Sequence, residues 1–221
     1  MTQSPEGFTL FSVLDRGHRA GELDAVTATF DAVVAEWEGR EVVLRGLYDV
    51  SGLRADGAVM LWLHGPRLED LQAALRALRA TDLLDGGCLI WSAAGVHRPA
   101  EFNRAHVPGF LRGERARNWL TVYPFVRSYD WYLLPEDDRS RMLREHGIKG
   151  AAFKGVVANT VAAFALGDYE WLLPMEADEV TDLVDMMRDL RYTEARLHVR
   201  EELPFYTGRR ITSAEAAEVL A

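Results

Sequence analysis

The sequence predicts an α+β fold, and three observations carry the prediction. Hydrophobic periods of about two and about 3.6 residues alternate along the chain, the order βαββαβ occurs twice, and the aperiodic stretch 97–118 falls between the two occurrences. In the first half, Phe8 to Leu14 is a β-branched and aromatic run that reads as a strand. Leu23, Val26, Phe30, Val33, Val34 and Trp37 then recur at helical spacing, and Gly39 ends that helix. Val42 to Val50 alternates as a strand, Ser51 to Gly57 supplies turn residues, and Val59 to Leu63 returns, so this pair predicts a hairpin. Pro66 opens a second helix through Leu68, Leu71, Leu75 and Leu78; Gly86 and Gly87 break the chain, and Cys88 to Val96 closes the half as a strand.

The stretch from His97 to Asn118 contains Pro99, Pro108, Gly109 and Gly113 and is long for a connection inside a compact domain, which makes it a linker or a functional loop. Beyond it the order recurs. A strand is expected at Val122 to Leu133, a helix at Pro135 to His146, strands near Val156 to Phe164 and Tyr169 to Leu173, a helix at Asp178 to Leu190 and a strand near Arg200 to Phe205. Each unit is the ferredoxin-like split βαβ arrangement, whose sheet carries both helices on one face and leaves the other needing cover. The expected organisation is an N-terminal half over 1–97, a connecting loop over 98–121 and a C-terminal half over 122–221, with the open sheet faces packed together or curled around a cavity.

Composition narrows the function. The 221 residues carry 25 Lys and Arg against 34 Asp and Glu, a formal charge of -9, so any surface for a polyanion must be a local patch, which argues against general nucleic-acid binding. The single cysteine, Cys88, rules out an intramolecular disulfide framework and a multi-cysteine metal cage, and suits a reducing, cytoplasmic compartment. Inside an apolar strand its thiol is expected to pack rather than react. Met1 to Gly7 has no basic leader region, and no apolar run approaches the roughly 20 residues of a membrane helix. G-x-G-x-x-G, P-loop and G-x-S-x-G signatures are all missing.

The least ordinary segment is Tyr123-Pro-Phe-Val-Arg-Ser-Tyr-Asp-Trp-Tyr132. As a strand it places Tyr123, Phe125, Arg127, Tyr129 and Trp131 on one face. That face is either a cross-strand aromatic ladder with a solvated arginine or a wall for a large flat anion, on which rings stack while the guanidinium forks onto carboxylates. His146, with Met142 and Leu143 one turn earlier and Gly147 as the expected C′ residue, points to the apolar side of its helix. It is either a dipole-compensating cap or the single axial ligand of a haem. His106 lies in the central loop, where both mobile surface groups and active-site groups are found. His18, His64, His97 and His198 lack metal-ligand spacing and read as surface or structural residues.

The Tyr123 to Tyr132 segment, Glu145-His146-Gly147, Asn159-Thr160, Phe164-Ala-Leu-Gly-Asp-Tyr-Glu-Trp171, Arg188-Asp-Leu-Arg191, Thr193-Glu-Ala-Arg196 and Pro204-Phe-Tyr-Thr-Gly-Arg209 together resemble the chlorite dismutase-like family. The resemblance is to its actinobacterial branch, the coproheme decarboxylases, and it is carried by the second half of the chain. It implies a dimeric α+β barrel made of two ferredoxin-like βαββαβ halves, assembled as a homopentamer. It implies a reaction in which iron coproporphyrin III (coproheme) loses carbon dioxide from two propionates and becomes haem b, with hydrogen peroxide as oxidant and the porphyrin as both substrate and redox cofactor. Position by position, His146 matches the proximal iron ligand, Tyr123 the tyrosine whose radical attacks the propionate, and His106 the distal histidine. Arg127 and Arg196 are assigned to propionate binding. A transient contact with coproporphyrin ferrochelatase belongs to the same expectation. The rivals are a non-enzymatic haem-binding protein, a cofactor-free monooxygenase of the same fold and a chlorite dismutase; against the last, Val157-Ala-Asn-Thr160 lacks the distal arginine that chlorite dismutases carry.

Overall fold

The computed structural model describes residues 7–16, 23–98 and 107–221. In chain order the first elements are β1 (Phe8–Leu14), α1 (Leu23–Glu38), β2 (Val43–Asp49), β3 (Val59–Gly65), α2 (Leu68–Arg79) and β4 (Leu89–Val96). They are followed by β5 (Trp119–Arg127), α3 (Glu136–Ala151), β6 (Val157–Ala158), β7 (Val161–Ala162), β8 (Trp171–Ala177), α4 (Val180–Leu190), β9 (Val199–Glu201), β10 (Tyr206–Ile211) and α5 (Ser213–Val219). The chain forms two compact units, the first holding the chain up to Val96 with Tyr206–Ala221, the second His97–Phe205. None of the described helices is long and apolar enough to cross a membrane.

In the first unit the strands lie in the order β4-β1-β3-β2-β10, each pair antiparallel. Leu71, Ala74, Leu75 and Leu78 are the buried residues of α2 at i, i+3, i+4 and i+7, a stripe that must face apolar surface. They meet Leu10, Leu14, Leu61 and Leu63 of the sheet and Val26 and Phe30 of α1 in one core. Each of these Leu, Val and Phe side chains contributes on the order of 1.5–3 kcal/mol of burial. Because side chains alternate across a strand, the other face is a second buried row that includes Phe11, Met60, Trp62 and Tyr48.

The C-terminal segment departs from expectation. The strand expected near 200–205 is only β9, and β10 instead joins the first unit, with Arg209 opposite Asp49 and Ile211 opposite Leu47. Ile211 enters the first core, and Gly208 permits the approach, since a Cβ there would lie 2.8 Å from the Asp49 carbonyl oxygen. A capping box between Thr212 and Glu215 then starts α5, which adds Ala216 and Ala217 to the same core, as does its C-cap residue Leu220. Cys88 is exposed just ahead of β4, not packed within a strand.

In the second unit β5 pairs antiparallel with β8 and with β9, and β6 and β7 both pair with β8. The strand expected over 122–133 ends at Arg127. Its register shifts between Val126 and Arg127, a hydrogen bond of 2.5 Å from Ser128 Oγ to Asp130 Oδ1 turns the chain, and Trp131–Leu133 forms a 3-10 turn. Trp131 is fully buried while Tyr129 is 81% exposed, so these two do not continue the Tyr123 face. The helix expected to stop at His146 runs on to Ala151, so Gly147 lies inside it and is not its C′ residue. The strand expected over 156–164 is split into β6 and β7 around Asn159 and Thr160. Asn159 is fully buried; its side-chain oxygen accepts from the Phe110 backbone N–H (2.9 Å) and its Nδ2 donates to Glu176 Oε2 (3.1 Å).

Candidate active site

A cavity of about 770 Å³ lies within the second unit, in the size range of small-molecule sites. Phe125, Leu143, Trp171, Leu173, Met186 and Leu190 supply apolar wall. Four of the five residues singled out from sequence, Tyr123, Arg127, His146 and Arg196, line this one cavity. The fifth, His106, lies outside the described residues, as does His18.

Tyr123 and Arg127 stand on β5 two pleats apart, which puts both on the face that carries Phe125. Phe125 is register partner to Trp171 of β8, and the two rings stack at 6.4 Å between centroids. Tyr123 is only 4% exposed; its ring stacks on Phe205 at 4.3 Å and its hydroxyl donates to Met187 Sδ at 3.5 Å. Burial, and after it the Glu202 carboxylate, raises its pKa well above that of a free phenol, so Tyr123 is neutral at every physiological pH. The buried Arg127 guanidinium lies over the Trp131 ring at 4.0 Å and the Phe125 ring at 4.8 Å. Its backbone N–H donates to Glu170 Oε2, which also accepts from the Tyr132 hydroxyl, each at 2.9 Å.

His146 comes from α3, on the face of the buried Met142 and Leu143, well before the helix end, so its role is not that of a C-terminal cap. Burial lowers its pKa, and the Arg127 charge lowers it further against a smaller opposing effect of Glu145. The imidazole is therefore neutral and keeps a nitrogen lone pair for a metal. Among the described residues no group of three or more His, Cys, Asp or Glu could hold a metal ion, and a single histidine suits a metal whose other ligands come with a prosthetic group.

Arg196 belongs to a 3-10 turn, Glu194–His198. Its guanidinium lies 3.1 Å from Glu202 Oε2, and Arg191 lies 2.6 Å from the same oxygen. Two guanidinium groups sharing one carboxylate leave a positive charge in excess at the cavity wall. Arg112, Arg117, Arg144 and Lys154 also line the cavity, with Glu114 the other acid. In a chain of net charge -9 this is a local basic lining.

Arg191, Trp171 and Met187 received no role from sequence reasoning. Arg191 and Trp171 stood inside quoted motifs, but only the fold brings Arg191 onto Glu202. Trp171 Nε1 is buried in the cavity wall, and among the described residues no acceptor meets it. Met187 carried no sequence signal. His198, by contrast, is bound away from the cavity, its Nδ1 3.1 Å from Ser128 Oγ and 3.5 Å from Asp130 Oδ1.

The family model for chlorite dismutase matches residues 23–211. A coproheme decarboxylase of Mycolicibacterium smegmatis is 50% identical over 208 residues, covering 93% of this chain and 89% of the relative. A coproheme decarboxylase of Staphylococcus carnosus is 24% identical over 178 residues, 73% of this chain and 71% of that one. Among solved structures, a chlorite dismutase variant from Candidatus Nitrospira defluvii superposes with a TM-score of 0.84 at 22% identity, covering 100% of this chain and 97% of its own; that likeness speaks to the fold alone.

Proposed function

The chain belongs to the chlorite dismutase family, and from that premise we propose that it removes two propionate carboxyl groups from iron coproporphyrin III, giving haem b at the expense of hydrogen peroxide. The observation that carries this reading is the single cavity onto which Tyr123, Arg127 and His146 all open. Its residues suit an iron porphyrin. The apolar and aromatic walls match a flat ring, the neutral His146 would hold its iron, and the Trp171 N–H, which no acceptor meets among the described residues, matches a carboxylate oxygen. A tetra-anionic substrate also needs positive charge nearby, which Arg127, Arg191 and Arg196 supply.

In this reading His146 holds the iron, and Arg127 with Arg196 fixes the ring by its carboxylates. The bound iron porphyrin supplies the oxidising power drawn from peroxide. His106 is the base that takes a proton from peroxide and returns it to the departing oxygen. Tyr123, oxidised by one electron and stripped of its proton, takes a hydrogen atom from the propionate β-carbon; the second oxidising equivalent drawn from the same peroxide takes a further electron, and the vinyl group forms as carbon dioxide leaves. Each vinyl group consumes one peroxide and one proton and releases one carbon dioxide and two waters. The same reading makes the protein a cytoplasmic homopentamer of dimeric α+β barrel subunits with ferredoxin-like halves, in transient contact with coproporphyrin ferrochelatase. The strand orders β4-β1-β3-β2 and β9-β5-β8 followed by β6 and β7 support the paired halves.

Mass spectrometry of a coproheme and peroxide turnover tests the proposal: the wild type should lose two carboxyl groups from the porphyrin. Tyr123→Phe should bind coproheme and yield no haem b, because the phenol that accepts the hydrogen atom is gone. Normal product from that variant would sink the role given to Tyr123, and unreacted coproheme with the wild type would sink the reaction.

A further inference from the structure

Five methionines lie in the described residues; Met60, Met142, Met175 and Met186 are between 0% and 7% exposed, although Met175 and Met186 also line the cavity. Met187 is only partly buried, lines the cavity, and receives the Tyr123 hydroxyl on its sulfur at 3.5 Å. A thioether is a weak acceptor, so this bond directs the phenol without holding it firmly. It is also the side chain that peroxide converts to a sulfoxide, at a rate that follows exposure.

We propose that Met187 is an oxidative modification site coupled to Tyr123, its sulfoxide capturing the phenol hydroxyl and slowing turnover. The effect on turnover rests on the reaction proposed above; the modification itself does not. The sulfur lone pair attacks one oxygen of hydrogen peroxide, the O–O bond breaks, and the second oxygen leaves with both hydrogens as water. Sulfur is oxidised by two electrons and peroxide is reduced. The new oxygen is bonded to the very atom that Tyr123 already addresses, and a sulfoxide is a far stronger acceptor than a thioether. Tyr123 is neutral and keeps its proton, so it remains a donor to that oxygen and must break the firmer bond before it can turn to substrate. Peroxide in excess would thus restrain the residue that spends it, and methionine sulfoxide reductases would restore it.

The test begins on porphyrin-free protein carrying Cys88→Ser, because the exposed thiol of Cys88 also oxidises. The protein is exposed to hydrogen peroxide, the peroxide is removed, and peptides are mapped by mass. Met187 should gain one oxygen before Met60, Met142, Met175 and Met186; a Met187 that stays unmodified, or that reacts no sooner than those four, overturns the site. Coproheme is then added to treated and untreated protein. Treated protein should turn over about tenfold more slowly, the factor that one ordinary hydrogen bond can carry, and sulfoxide reductase should bring the rate back. The same treatment should cost Met187→Leu much less relative to its own untreated rate. Full oxidation of Met187 with no loss of rate, or an equal loss in the leucine variant, would overturn the coupling to Tyr123. Failure of untreated wild type to decarboxylate would instead break the proposed reaction, while the peptide map still decides the modification.

Discussion

Each unit contains a histidine near an arginine whose guanidinium lies over a tryptophan: His64, Arg45 and Trp62 in the first, His146, Arg127 and Trp131 in the second. The ring distances are 5.0 Å for Arg45 over Trp62 and 4.0 Å for Arg127 over Trp131. The electrostatics agree as well, since burial first and the arginine charge second lower the pKa of both imidazoles. What differs is the space beside them. Around Trp62 the chain is closed, with its indole N–H donating to Thr9 Oγ1, which in turn donates to the Leu63 carbonyl at 3.2 Å, and all three residues buried. His146 instead lines a cavity of about 770 Å³. A neutral imidazole beside a guanidinium has room for a ligand only where the surrounding elements leave a hole, as they do at His146.

The sharpest way to break that comparison is to load iron coproporphyrin onto two variants. His146→Ala should change the absorption spectrum of the iron outright, because the nitrogen proposed to hold the iron is gone. His64→Ala should leave the spectrum as in the wild type. A spectrum that responds to His64 and not to His146 would invert the assignment of the two histidines.

A smaller effect separates the walls. Leu61 is fully buried in the first core, and Leu61→Ala should cost about 2–5 kcal/mol in urea unfolding, from lost transfer energy plus the void left behind. Leu173 lines the cavity and is only partly buried. Leu173→Ala should cost about 1–2 kcal/mol, because one side of it already lacks packing partners. Equal losses would show the cavity wall to be as tightly packed as the core.

The same contrast explains what could be read in the sequence. Leu71, Leu75 and Leu78 announce α2 because the helix has one buried stripe. Tyr123 and Arg127 could be placed on one face because β5 runs as one strand from Trp119 to Arg127. The pattern fails where a polar side chain serves backbone: Asn159, which breaks the expected strand, and Ser128 with Asp130, which end β5, make contacts invisible to hydrophobic periodicity. Gly147 misled for a different reason. Glycine lowers helix propensity but is tolerated within α3. The partner of β10 was illegible because Thr207, Gly208, Arg209 and Arg210 show no apolar alternation; Asp49 and Leu47, far back in the chain, decide it. The Arg191, Arg196 and Glu202 cluster and the Met187 contact with Tyr123 are products of tertiary packing and have no local spacing at all.

The finest discrimination comes from acid. The His64 imidazole is held down to about 4 in the folded protein, against about 6.5 in the unfolded chain. Between those values the unfolded chain binds a proton that the folded one refuses, so stability rises with pH across the window and is lost as pH falls through it. Between pH 7 and pH 5.5 this amounts to about 1 kcal/mol from His64, and His146, shifted in the same direction, adds to it. The carboxylates of Asp56, Asp130, Asp178, Glu194 and Glu215 are shifted down by their hydrogen bonds. Their stabilisation is lost only as pH falls below the ordinary carboxylate range, so pH 5.5 isolates the histidines. His64→Gln, which cannot titrate, should shrink the shift in urea midpoint between pH 7 and 5.5 and leave the part due to His146 and to His97, whose pKa burial also lowers. If wild type and variant lose the same stability, His64 is already able to take its proton in the folded protein, and burial does not hold its imidazole neutral.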